Sequence, residues 1–183
     1  MRYLASQGIE VAFLSTRRRF KFRLVPETSK NIFLRIAQHE SCRSVEFRSS
    51  FSRIIVTAKI KNMRSMLVRY NRNQPDKNID EVTTKLKFYA LQVPLKDTVE
   101  EIMGIEGIAS RTYFDGFKKF LPIGFEFRSR SYHPPSDPVN ALMGFGYMLL
   151  LREIESQLES KGFDVFLGIL HSPHYGRASL ACI

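Results

Sequence analysis

Two residues in this sequence are of metal-ligating type and stand where such side chains are costly. Glu106 lies within GIEGIASRTYFDGF, from Gly104 to Phe117. Upstream, Asp97 and Glu100 have the spacing of a capping box that opens a helix. If that helix continues, Val99, Ile102, Met103, Ala109, Tyr113, Phe117 and Phe120 form one apolar stripe, and Glu106 shares it. A carboxylate on an apolar face must be paired or must hold a cation. An Arg or Lys across the core, such as Arg128 or Arg130, would serve as the ion-pair partner; a bound metal is the competing reading. Gly107 beside it is a poor helix former, worse than Ala by roughly 1 kcal/mol, and would let another group approach closely. His171 ends DVFLGILH, a nearly unbroken apolar run. It reads as a core or turn histidine, or with His174 as an H-x-x-H pair, which lacks the Cys pair or third histidine of a zinc site. No G-x-S-x-G, P-loop or dinucleotide glycine fingerprint occurs.

Charge points to the partner. The chain has 183 residues, with 28 Lys and Arg against 18 Asp and Glu, a net charge of +10. That balance favours a polyanion, most simply nucleic acid. Basic residues alternate with aromatics in RRRFKFR (Arg17 to Arg23), FKKF (Phe117 to Phe120) and FRSRSYH (Phe127 to His133). Such segments can bind phosphate and stack on bases, or can be solvated faces. A hydrophobic content of 44% is ample for a packed core. Two cysteines give no disulfide framework. The N-terminal stretch, interrupted by Gln7 and Glu10, is unlike a signal peptide, and no apolar run reaches the ~20 residues of a membrane span. A soluble, cytoplasmic protein is expected.

The elements that must position these residues are mainly helical. Ile9 to Ser15 and Arg19 to Val25 read as a hairpin turning at Thr16 to Arg18. Ser29 then caps a short helix carrying Ile32, Phe33, Ile36 and Ala37. A longer helix spans Phe47 to Tyr70, with Phe51, Ile54, Ile55, Ala58, Met63, Met66 and Leu67 inward. A polar break surrounds Pro75, a helix covers Asp80 to Gln92, and the Glu106 helix follows Pro94. After a loop from Leu121, Asp137 and Pro138 start a last helix that runs to about Lys161 and is closed by Gly162. The fold class is mainly α: residues 1–28 a remnant of a small N-terminal β domain, residues 29–183 an α-helical domain.

Together EGIASRTYF, FEFRSRSYHPPSDPVNALMGFGYMLL and LGILHSPHYGRASLA resemble the CRISPR-associated integrase of spacer acquisition, the first-numbered Cas protein. GIEVAFLSTRRRFKFRLV and NIFLRIAQH are similar to the end of its β domain and the entry to its helical domain. The resemblance covers essentially the whole chain, in order. It implies a metal-dependent DNA endonuclease and integrase that uses Mg2+ or Mn2+, with Glu106 and His171 as catalytic metal ligands. Asn140 and Tyr147 match recurring family positions in a supporting role. Lys118, Lys119, Arg128 and Arg130 would hold the DNA backbone. The implied partners are double-stranded DNA (spacer precursor and repeat array), a second copy in a homodimer, and the second-numbered Cas protein.

The family pattern continues beyond SLA with an Asp that supplies a third ligand, whereas this sequence ends SLACI. Strands that precede the hairpin in the family are also missing. The expectation is a fragment of the family pattern that binds the ion weakly, works poorly as a nuclease and exposes a sheet edge that favours self-association. The alternative is a non-catalytic, basic nucleic-acid-binding helical domain in which Glu106 and His171 are structural.

Overall fold

The computed structural model describes residues 2–7, 11–15, 20–24, 30–131 and 134–182. A short helix, α1 (Arg2–Ser6), precedes two strands, β1 (Val11–Leu14) and β2 (Phe20–Leu24). The strands pair antiparallel with Phe13 opposite Phe22, whose rings stack at 4.4 Å. The predicted turn at Thr16 to Arg18 and the predicted Ser29 cap lie outside the described residues. Helices follow: α2 (Ile32–Arg43), α3 (Val45–Asn73), α4 (Asp80–Gln92), α5 (Val99–Phe117) and α6 (Pro138–Lys161). The architecture is the expected one, mainly α with a strand pair at its start. By its internal contacts the chain divides into two units, one of Met1–Arg43 with Leu149–Ile183, the other of Ser44–Met148.

In the second unit, α3, α4 and α5 pack on one another. Ser44 caps α3, its hydroxyl accepting from the Phe47 amide at 3.1 Å. The buried row of α3 is Ser49, Ser52, Val56, Ile60 and Leu67. This corrects the predicted face: Ile54 and Met66 are exposed, and Val56 and Ile60 take the core positions. The helix offers apolar residues on more than one side, and the row with serines at its start is the one its neighbours use. Leu86 of α4 and Ile102 and Ala109 of α5 complete this core. Gly116 sits where a Cβ would lie 2.8 Å from Leu67 Cδ1 and 2.9 Å from Val82 Cγ1.

The first unit is held by polar backbone bonds as much as by its core of Val165, Ala178 and Ala181. α2 places its buried Gln38 against residue 164: Nε2 donates to the Asp164 carbonyl at 2.8 Å, and Oε1 accepts from the Asp164 amide at 2.9 Å. The apolar residues expected to define α2 lie outside: Ile32, Phe33 and Ile36 are exposed. α6 belongs to both units. Asp137 Oδ1 accepts from the Asn140 amide at 2.7 Å and opens it as predicted. At its end the Gly162 and Phe163 amides donate to the Glu159 and Leu158 carbonyls, with Gly162 at φ +95°, the Schellman closure.

The box that opens α5 is one residue later than the sequence suggested. Thr98 Oγ1 accepts from the Glu101 amide, and Glu101 Oε2 accepts from the Thr98 amide, each at 3.2 Å. Extended backbone at Thr98 makes it the cap, and Asp97 is left solvated. The bond from the Thr98 amide also lowers the Glu101 pKa. Thr98→Ala is therefore expected to lower stability by about 1 kcal/mol, and Asp97→Ala by a few tenths at most, in urea unfolding.

Candidate functional site

Glu106 points into the groove between α5 and α3. Its Oε1 accepts from Lys59 Nζ at 2.7 Å and from Ser110 Oγ at 3.0 Å. The two charged side chains are 27% and 20% exposed, so the pair stands between a solvated surface bridge and a buried one. The partner is thus Lys59 of α3, in place of Arg128 or Arg130. A helix pattern read alone does not say which neighbouring helix brings a counter-charge. Both bonds fall on one oxygen, and Oε2 has no bonded partner among the described residues. A carboxylate oxygen is the donor a hard divalent cation prefers. Gly107 is exposed, and a Cβ there would meet nothing within 4 Å, so no protein group packs close to it. One residue along a helix turns the side chain by about 100°, which carries residue 107 off the Glu106 row.

Around the start of α6 the second unit builds a dense polar knot. Asn140 is 1% exposed. Its Oδ1 accepts from Arg130 Nη1 and the Ser131 amide, both at 2.9 Å. Its Nδ2 donates to the Ser129 carbonyl at 2.9 Å and to Asp137 Oδ2 at 2.6 Å. Asn140 is therefore a support that fixes the 129–131 loop, with no amide oxygen to spare for a ligand. The amide bonds from Asn140 hold the Asp137 carboxyl below its usual range. Arg130 lies over the Tyr147 ring at 5.1 Å from its centre, a cation–π contact. Burial, with Tyr147 and Tyr70 nearby, pushes the Tyr113 phenol up to about 12, so it stays protonated at neutral pH.

The remaining basic residues differ in how they are engaged. Lys118 Nζ pairs with Asp115 at 2.6 Å, and Lys119 Nζ donates to the Asn78 carbonyl at 2.8 Å. Arg128 is exposed, on a loop anchored by buried Phe127 against the rings of Phe114 and Phe117. Tyr132 and His133 lie outside the described residues.

His171 belongs to the other unit. It is half-buried and follows the buried pair Ile169 and Leu170. Its stretch is pinned from both sides. The Leu180 amide donates to the Val165 carbonyl at 2.9 Å, and buried Ser179 donates from Oγ to the Ser172 carbonyl at 3.1 Å. Gly168 makes this fold-back possible, since a Cβ there would run into the His171 carbonyl and lie 2.7 Å from Ser179 Cβ. The visible sequence signal was a glycine inside an apolar run. His174 is exposed, and its Nδ1 contacts the Tyr175 carbonyl at 3.1 Å. Among the described residues no three His, Cys, Asp or Glu side chains form a metal-holding group, and no helix is long and apolar enough to cross a membrane.

As a class, this is a mainly α-helical domain entered from a strand pair, with a half-buried carboxylate on α5 and a histidine on a pinned loop. The family model for the CRISPR associated protein Cas1 matches residues 1–182, and the chain belongs to that family. A relative named CRISPR-associated endonuclease Cas1 3, from Thermus thermophilus, is 33% identical over 181 residues, 99% of this chain and 52% of its own length. CRISPR-associated endonuclease Cas1 1 of Chlorobaculum tepidum is 34% identical over 98% of this chain and 54% of its own. The chain thus spans about half the length of these curated relatives. The Cas1 protein of Thermotoga maritima superposes with a TM-score of 0.77 at 25% identity, covering 99% of this chain and 56% of that one. A chain of a Cas6-RT-Cas1–Cas2 complex gives 0.79 at 28% identity, over 99% of this chain and 20% of that one.

Gly168→Ala is expected to destabilise the protein by about 2 kcal/mol, because backbone at His171 and Ser179 must yield. The melting temperature would fall by about 4–8 °C, and an unchanged melt would show that the fold-back is looser than described.

Proposed function

We propose that this chain carries the helical, ion-binding part of a DNA endonuclease and integrase of CRISPR adaptation. Such an enzyme inserts spacer DNA by attack of a 3′-hydroxyl on a phosphodiester of the repeat array. The observation that carries this reading is the Glu106 carboxylate, oriented on an apolar helix face with one oxygen left open, in a chain whose relatives are named endonucleases. Glu106 and His171 would hold a Mg2+ or Mn2+, oxygen and imidazole nitrogen suiting the latter. When bound, the ion polarises the scissile phosphate and offsets charge in the in-line transition state.

The chain's own residues orient and hold. Burial of Val99, Ile102 and Ala109 fixes the rotation of α5, and Lys59 with Ser110 aims the Glu106 carboxylate. Gly168 and Ser179 hold the backbone at His171. Arg128 would meet DNA phosphate directly, and Arg130 from its seat on Asn140 and Tyr147. Lys118 and Lys119 would do so by exchanging their present partners. Double-stranded DNA, a second copy of the chain and the second-numbered Cas protein are the proposed partners; likeness to a chain of the Cas6-RT-Cas1–Cas2 complex supports the last.

One observation favours a second reading, a non-catalytic DNA-binding domain: Lys59 gives Glu106 a full counter-charge at 2.7 Å. Titration with Mn2+, followed by its electron paramagnetic resonance signal, separates the two. The first predicts binding that weakens at least about ten-fold in Glu106→Ala and in His171→Ala, with duplex DNA affinity unchanged. Equal Mn2+ binding by all three proteins would select the second.

A further inference from the structure

α3 is the most one-sided element in charge. From Phe47 to Asn73 it carries seven Lys and Arg and no Asp or Glu. Three of its basic residues are used within the unit. Arg53 Nε donates to the Lys96 carbonyl at 2.7 Å, Lys59 pairs with Glu106, and Arg64 Nε donates to the Thr83 carbonyl at 3.2 Å. Lys61, Arg69 and Arg72 are exposed and have no bonded partner among the described residues.

Helix geometry puts these charges on one flank. Eleven residues at about 100° each bring Arg72 within about 20° of Lys61, some 16 Å further along the axis. Arg64, Ser65 and Val68 fall on the same flank, with Arg69 at its outer edge. A cleft of about 350 Å³ lies there, lined by Arg64, Ser65, Val68, Arg69 and Arg72. Arg64 is anchored through Nε, and the exposed Ser65 hydroxyl adds a neutral donor. A rigid row of donors without a carboxylate matches a chain of regularly spaced phosphates. Between Lys61 and Arg72 it offers no large exposed apolar side chain to insert into a lipid surface, since Met66 and Tyr70 lie round the helix on another side and the exposed Ile54 lies two turns before Lys61.

We propose that this flank of α3 is a backbone-binding site for double-stranded DNA, in which Lys61, Arg64, Arg69 and Arg72 contact successive phosphates independently of sequence. Its residues are additional to Lys118, Lys119, Arg128 and Arg130. The proposal rests on the reading above that duplex DNA is the substrate.

The test is fluorescence anisotropy of the whole chain with a labelled duplex across a KCl series. The triple variant Lys61→Gln, Arg69→Gln, Arg72→Gln is compared with wild type and with the α4 control Lys85→Gln, Lys87→Gln. All five substituted basic residues are exposed, so the folds are kept, and circular dichroism confirms it. The triple variant should have a log K versus log salt slope shallower by about 2–3, and bind on the order of a hundred-fold more weakly at ~0.1 M salt. Two unrelated duplexes should be affected alike, while the control stays near wild type. An unchanged slope in the triple variant, an equal loss in the control, or equal competition by phosphatidylserine vesicles would overturn the assignment. A wild-type chain that binds no duplex would overturn the proposed function with it.

Discussion

A carboxylate set among packed helices must be compensated, and in this protein the compensation comes from one lysine on a different helix. Lys59 reaches from α3 to Glu106 on α5, and Ser110, one turn along α5, completes the arrangement. Much of the second unit is tied to that contact. Val56 and Ile60 flank Lys59 in sequence, Ile102 and Ala109 flank Glu106, and all four are buried. The burial that sets the rotation of both helices therefore also brings the two charges together, and Gly116 allows α5 to lie directly on Leu67 and Val82. With its neutral row facing α4 and α5, α3 turns Lys61, Arg69 and Arg72 to solvent, without a bonded partner among the described residues. The ion pair and the basic flank are two consequences of one helix orientation.

The histidine depends on a different device. No regular element carries His171. Its loop is fixed by the Ser179 hydroxyl and the Leu180 amide, each donating to a backbone carbonyl, by a glycine with no room for a side chain, and, further back, by the Gln38 amide clasping Asp164. Asn140 does comparable work in the second unit, its buried side chain bonding Arg130, the Ser131 amide, the Ser129 carbonyl and the Asp137 carboxylate. In each case a buried polar side chain satisfies backbone that helices cannot reach, which makes an irregular segment rigid enough to hold a functional group.

The course of the helices was legible in the sequence because each carries its own punctuation. Asp137 and Pro138 begin α6 and Gly162 ends it, and α4 has its predicted bounds. What could not be read was anything set by a neighbour. The buried row of α3 was misjudged because its apolar residues go round the helix, and only the packing of α4 and α5 selects Val56 and Ile60. Lys59 gives no local sign that its partner is 47 positions away. The α5 cap slipped from Asp97 to Thr98 because both residues suit an N-cap and only the backbone angle decides. Glu106 and His171 were identifiable by their type within apolar surroundings, and the resemblance joined them, whereas Gly168, Ser179 and Gln38 are ordinary residues whose role exists only in three dimensions.

The Glu106 carboxylate needs a cation, and Lys59 supplies one; under the proposed function a divalent ion would bind the same carboxylate. Thermal unfolding of Lys59→Met, with and without Mn2+, is the decisive measurement. Without metal the variant should melt below wild type, by the equivalent of about 1–3 kcal/mol for a partly buried charge left unpaired. Saturating Mn2+ should recover most of that loss, because a ligand that binds only the folded state stabilises it. A variant that melts like wild type would show that Glu106 needs no cation, and one that Mn2+ leaves where it was would show that the carboxylate takes no divalent ion.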